Sequence, residues 1–202
     1  LKTLEDIEWD KISNKNSYYC IKVPFGSSVY GLTNKFSDKD YAYIVTNSKI
    51  DLDTEEHQVY TMQEFQTALN DHDIKAIELY YTSPEVSKAF TFNLDLQKLR
   101  SGVSKVVSNS HVKAKKKFIQ DEIYTGLKSY YHCIRILTMF NYLAREGTFN
   151  PTSFKNELEY VYLDIMKRES NNPETLFKEL EQDYKMMLKN LQHCFRLYCP
   201  KD

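Results

Sequence analysis

Pro84 divides the chain into two hydrophobic rhythms, and few folds accommodate both. Before it, short apolar runs alternate with polar breaks. Tyr18–Phe25, Asp38–Thr46 and Gln58–Met62 are rich in aromatic and β-branched residues and read as strands. Ile74–Thr82 also reads as a strand, with Ile74, Ala76, Glu78 and Tyr80 on one face and Ile77, Leu79 and Tyr81 on the other. A helix from Thr61 or Met62 to about Asn70 lies between the last two. Leu4, Ile7, Trp9 and Ile12 predict a short amphipathic helix over residues 3–13, broken by Asn14–Ser17. Gly26 and Ser27 turn the chain, and Ser28–Lys35 fits one or two helical turns.

After Pro84, apolar residues recur at helical spacing through Val86–Phe90, Leu94–Val107 and onward from about Val112. The longest run, Asp121–Glu146, is closed by Gly147 at a C-cap position. Pro151 opens the next helix, which reaches about Arg168. The last, Glu174 to about Leu197, buries a stripe of Leu176, Leu180, Tyr184, Met187, Leu188, Leu191 and Phe195. The pattern predicts an α+β fold: a small mixed sheet within residues 1–90, then a helical domain over 91–202.

Net charge narrows the range of partners. With 27 basic and 28 acidic residues the chain carries −1, so no overall field draws nucleic acid or membrane, and an anionic ligand needs a local patch. Cys20, Cys133, Cys194 and Cys199 lack the close spacing of zinc sites and are expected to be free thiols in a reducing compartment. No apolar run approaches the roughly 20 residues of a membrane span. No signal peptide is visible, although the chain starts at Leu1, and a cytoplasmic location is the expectation. His57, His72, His111 and His193 show no ligand spacing, and no Ser-His-Asp or Cys-His hydrolase pattern stands out.

Chemistry concentrates in Phe25–Val45. Asp38 and Asp40 are two apart at the head of a strand, so they point to one face. Adjacent carboxylates repel unless a cation lies between them. Glu78, set among apolar neighbours, needs a partner of its own. If the strands carrying these acids are neighbours, the three converge into an oxygen site for Mg²⁺ or Mn²⁺. The plainer alternative makes Asp38 a cap and Asp40 a surface residue. With ten residues between Ser27 and Asp38, Gly26 lets backbone approach a phosphate closely and Ser27 adds a hydroxyl donor. Phosphate holder and metal ligands would then lie side by side.

The string Gly26-Ser27-x-x-Tyr30-Gly31-Leu32, followed by Ser37-Asp38-x-Asp40-Tyr41, resembles the signature of the polymerase-β-type nucleotidyltransferase superfamily. More narrowly, it is similar to the predicted bacterial and phage nucleotidyltransferases of the YcgL-like group. Ala76-Ile77-Glu78-Leu79-Tyr80 and Lys128-x-x-x-His132-x-x-Arg135, with Gly147 ending the helix, agree with that group. The resemblance implies a palm of mixed sheet and flanking helices, with a helical bundle closing the cleft. It implies Asp38, Asp40 and Glu78 as catalytic metal ligands, Mg²⁺ or Mn²⁺ as cofactor, and Gly26, Ser27 and Ser37 at the nucleotide. The implied reaction is transfer of an NMP from an NTP to an acceptor (RNA, protein or small molecule), with release of pyrophosphate. One departure is Lys39, where the superfamily usually has an apolar residue.

Lys128, His132 and Arg135, at i, i+4 and i+7, form one stripe on an otherwise apolar helix and need an anionic partner. Nucleotide phosphates are one candidate. The other is a salt bridge to an acid such as Asp121 or Glu157 that clamps the two halves. Tyr30 is the ring best placed to stack on a base. The run Lys113, Lys115, Lys116, Lys117 is the one basic cluster, and either guides a polyanionic acceptor or is a solvated helix face. Two functional readings remain at this point. One is the metal-dependent nucleotidyltransferase. The other is a nucleotide-binding regulatory module with little turnover, of toxin–antitoxin or phage and host-defence type. Near-neutral charge argues against a processive polymerase on long nucleic acid.

Overall fold

The structure, a computed structural model, describes residues 20–30, 40–46 and 58–201. The helix expected over residues 3–13 lies outside them, as do Gly31–Lys39. Three strands are seen: β1 (Cys20–Phe25), β2 (Asp40–Val45) and β3 (Gln58–Thr61). β1 pairs antiparallel with β2, and β2 pairs parallel with β3, so the small mixed sheet read from the sequence is present, in the order β1-β2-β3. β1 alternates buried Ile21 and Val23 with exposed Lys22 and Pro24, whereas central β2 is buried on both faces from Ala42 to Val45. Register places Phe25 opposite Asp40, Val23 opposite Ala42 and Ile21 opposite Ile44. Asp40 therefore ends the row of residues that faces the main core.

Among the described residues, seven α-helices surround and extend the sheet: α1 (Met62–Asn70), α2 (Ile74–Thr82), α3 (Pro84–Ala89), α4 (Leu96–Ile119), α5 (Ile123–Glu146), α6 (Lys155–Met166) and α7 (Pro173–Tyr198). 3₁₀ turns cover Gly26–Tyr30 and Pro151–Phe154. Thr61 caps α1 in a reciprocal capping box with Glu64. Gly147 ends α5 in the left-handed conformation, at φ 73°, as its position suggested. α4 runs unbroken where the sequence suggested two segments, and α7, with 26 residues, is the longest helix among the described residues. The core is continuous, from Ile21 and Val23 in β1 through Ile134 and Phe140 in α5 to Phe195 in α7.

One element differs in kind. Ile74–Thr82 is a helix, not the fourth strand. Its apolar residues satisfy both periods, since Ile74, Ile77 and Tyr81 also lie on one helical face. Local chemistry decides between them. The Asp73 side chain accepts from the Ala76 N–H, 3.0 Å away, as an N-cap, and Pro84 forces Ser83 out of helical geometry. Glu78 consequently shares its face with Lys75 rather than with Ala76 and Tyr80.

Candidate functional site

Gly26 and Asp40 are in direct contact. Gly26 has φ 77°, and a Cβ built on it would lie 2.5 Å from Asp40 Oδ2. Only glycine satisfies both that dihedral and that space. The element behind Gly26 is a five-residue 3₁₀ turn rather than an α-helix, so it brings no substantial helix dipole. Ser27 lies in this turn, and its side chain is outside the described set. Asp38 and Ser37 lie outside the described residues altogether.

The far end of the turn leads to Glu78. Tyr30 Oη donates to Glu78 Oε1 at 3.0 Å, and Arg135 Nη1 donates to the same oxygen at 2.6 Å. Glu78 and Arg135 form an ion pair whose side chains are 14% and 9% exposed. The acid that satisfies the basic stripe is thus Glu78, not Asp121 or Glu157. The clamp foreseen across the two halves is real, and one expected metal ligand is its partner. Among the described residues, Oε2 of Glu78 has no hydrogen-bond partner.

The stripe on α5 is graded. Lys128 is exposed, His132 half-buried and Arg135 buried. Arg135 Nη2 lies 3.0 Å from His132 Nδ1, and since a guanidinium only donates, Nδ1 accepts and the ring proton sits on Nε2. Burial, followed by the Arg135 and Lys113 charges, lowers the His132 pKa to about 3, so its imidazole is neutral near pH 7. Burial acts to lower the Arg135 pKa, but Glu78, then Tyr30 and Tyr131, outweigh it, and the net direction is upward. Tyr30 is 3% exposed and one face of its ring is covered by the guanidinium, 4.5 Å away. It is a hydrogen-bond donor to Glu78 here, not an open stacking platform for a base.

Two residues that sequence reasoning passed over belong to this cluster. Tyr131, one turn before Arg135, is 5% exposed, and its hydroxyl has no partner among the described residues. Lys75, one turn before Glu78, lies half-buried with Nζ 4.1 Å from the Phe25 ring centroid, and the charges of Asp40, Asp73 and Glu78 bear on it. Its signal in the sequence was a lysine two residues after a helix-capping aspartate, visible only once α2 is read as a helix.

In the basic run, Lys113 acts on His132, Lys117 pairs with Glu122 at 2.6 Å, and Lys115 and Lys116 are exposed. Asp73 also borders a groove of about 1090 Å³ between α1 and α4, lined by Tyr60, Gln63, Lys98, Lys105 and Asn109 among others. No three candidate metal ligands group together among the described residues. The donors that are described, Asp40 and Oε2 of Glu78, are of the hard oxygen type that Mg²⁺ and Mn²⁺ take. No helix among the described residues is long and apolar enough to cross a membrane. In comparison with known proteins, no family model, no curated protein and no solved structure matches the chain.

Proposed function

We propose that the protein is a metal-dependent nucleotidyltransferase that moves an NMP unit from an NTP to an acceptor and releases pyrophosphate. The observation that carries this reading is the left-handed Gly26 turn nested against the Asp40 carboxylate, in register at the head of β2. A backbone turn without a Cβ beside a carboxylate is what a metal–triphosphate complex needs, because the phosphates must come within hydrogen-bond range of main-chain N–H groups while the metal meets oxygen ligands.

Asp38 and Asp40 would hold Mg²⁺ or Mn²⁺, with Oε2 of Glu78 as the third donor. The metal, when bound, supplies Lewis-acid polarisation of the α-phosphate and neutralises the leaving pyrophosphate. Arg135 and Tyr30 fix the Glu78 carboxylate through Oε1 and would leave Oε2 as the oxygen offered to the metal. Gly26, Ser27 and Ser37 would engage the triphosphate. Lys128, the exposed end of the α5 stripe, remains available to an incoming anion. The acceptor attacks the α-phosphorus in line, and pyrophosphate leaves from the opposite side.

The Glu78–Arg135 pair also favours the second reading. A carboxylate already neutralised by a guanidinium is a weaker metal ligand, which suits a nucleotide-binding module with slow turnover. Labelled NTPs with Mg²⁺ or Mn²⁺, offered cell RNA, protein or small-molecule pools, separate the two. Transfer that disappears in Asp40→Ala establishes the enzyme. Metal-dependent NTP binding without transfer establishes the module. Failure of any NTP to bind at millimolar concentration removes both.

A further inference from the structure

Lys75 breaks two local rules. It stands in the first turn of α2, where the helix dipole disfavours a cation, and it is half-buried, where an ammonium is costly unless paired. Yet none of its three N–H donors has a hydrogen-bond or ion-pair partner among the described residues. Its ammonium instead sits over the face of Phe25, 4.1 Å from the centroid. Phe25 is the residue before the Gly26 turn and the register partner of Asp40. Departures of this kind mark functional positions.

The surroundings define what the ammonium is for. Asp40, Asp73 and Glu78 face it, which accounts for a lysine being tolerated there. None of them is close enough to form an ion pair with it, so among the described residues its donors have no polar partner. The neighbourhood of Lys75 therefore carries both signs: the carboxylates of Asp40 and Glu78, whose charges act on it, and an ammonium beside the glycine turn with no ion-pair partner among the described residues. A ligand that carries both signs in one body, a divalent cation chelated by a polyphosphate, matches this arrangement. A free cation would be repelled by Lys75, and a free anion by the acids.

We propose that Lys75 binds the triphosphate tail of the metal–nucleotide complex and makes occupancy of this site depend on metal and polyphosphate together. This rests on the nucleotidyltransferase reading and names a phosphate-positioning residue outside the motif on which that reading was built. The Nζ donors take phosphate oxygens beyond the α-phosphorus, the part that departs as pyrophosphate, while Gly26 lets those oxygens approach the backbone.

The test compares wild type with Lys75→Met and Lys75→Arg in the full chain, by calorimetry. Inorganic tripolyphosphate, ATP and AMP are the probes, each with Mg²⁺. Circular dichroism confirms that the variants fold, and Lys88→Met, an exposed lysine of α3, controls for net charge. Lys75→Met is expected to weaken tripolyphosphate and ATP by roughly ten- to a hundredfold, the effect of one charge-assisted hydrogen bond, and to leave AMP unchanged. Mn²⁺ binding without nucleotide, followed by electron paramagnetic resonance, is expected to tighten in Lys75→Met because the repelling charge is gone. Lys75→Arg is expected to recover most of the polyphosphate affinity. Equal tripolyphosphate affinity in wild type and Lys75→Met overturns the role of Lys75 while leaving the nucleotidyltransferase reading standing. A wild-type protein that binds neither tripolyphosphate nor ATP overturns both.

Discussion

Gly26 and His132 are the residues at which single-atom changes have the clearest outcome. In Gly26→Ala the new methyl collides with Asp40 Oδ2 and the backbone is held in the left-handed region. The dihedral alone costs about 1–2 kcal/mol, and the collision adds to it. Chemical denaturation should show the loss, and the variant should lose metal-dependent NTP binding because Asp40 is displaced. His132 makes stability depend on pH. Its folded-state pKa lies at about 3, below the ordinary 6.5. The unfolded chain therefore takes up a proton first, and the contribution present above pH 6.5 is lost as pH falls towards 3. The slope reaches about 1.4 kcal/mol per pH unit within that window. Denaturation of wild type and His132→Gln between pH 4.5 and 6.5 should show a flatter dependence in the variant. A parallel pair of curves would rule this out.

At the scale of elements, two helices end without glycine in a position that favours it. α4 finishes in a Schellman motif, with Glu122 N–H donating to Lys117 O at 2.9 Å and Asp121 N–H to Phe118 O at 3.1 Å. Asp121 occupies the left-handed position at φ 61°. Asp121→Gly should raise stability by up to about 1 kcal/mol, read as a higher denaturation midpoint. α1 ends the same way at His72, φ 58°, but that imidazole accepts from Asp95 N–H at 2.7 Å, so glycine there trades one gain for a lost bond. Such endings explain where the sequence was hard to read. Gly147 announced the end of α5 because glycine is the common residue in that conformation, whereas Asp121 and His72 carry no such mark. Strands β1, β2 and β3 were legible from alternation and aromatic content. α2 was not, because nine residues with six apolar side chains fit both periods, and the deciding cap, Asp73, lies outside the apolar segment. The consequence reaches the site: on a strand Glu78 would share its face with Ala76 and Tyr80, whereas on the helix it lies beside Lys75. The stripe on α5 was readable as needing an anion. Its partner was not, because the Glu78–Arg135 contact spans 57 positions and leaves no trace in local pattern.

At the scale of the molecule, the Glu78–Arg135 pair ties the sheet-bearing part to the helical part inside one continuous core. Arg135→Ala strands a carboxylate in the interior and should cost about 3–5 kcal/mol. Adding Glu78→Gln to it should recover part of that loss, so a double-mutant cycle in denaturant measures the coupling. Ligand offers the complementary test. Mg²⁺ with NTP at about 100 times its dissociation constant should add about 2.7 kcal/mol to stability, visible as a higher melting temperature, and neither component alone should do so. Asp40→Ala should abolish the increment.

The way Arg135 is held has a spectroscopic consequence. One Nη bonds to a carboxylate, the other to an imidazole nitrogen, and an aromatic face packs against the plane between them. Rotation about the Cζ–N bonds is blocked, so the guanidinium protons should give separate, slowly exchanging signals in nuclear magnetic resonance where most arginines give one averaged line. Because these protons grip one oxygen of Glu78, their frequencies would report, from inside the core, whatever arrives at the other.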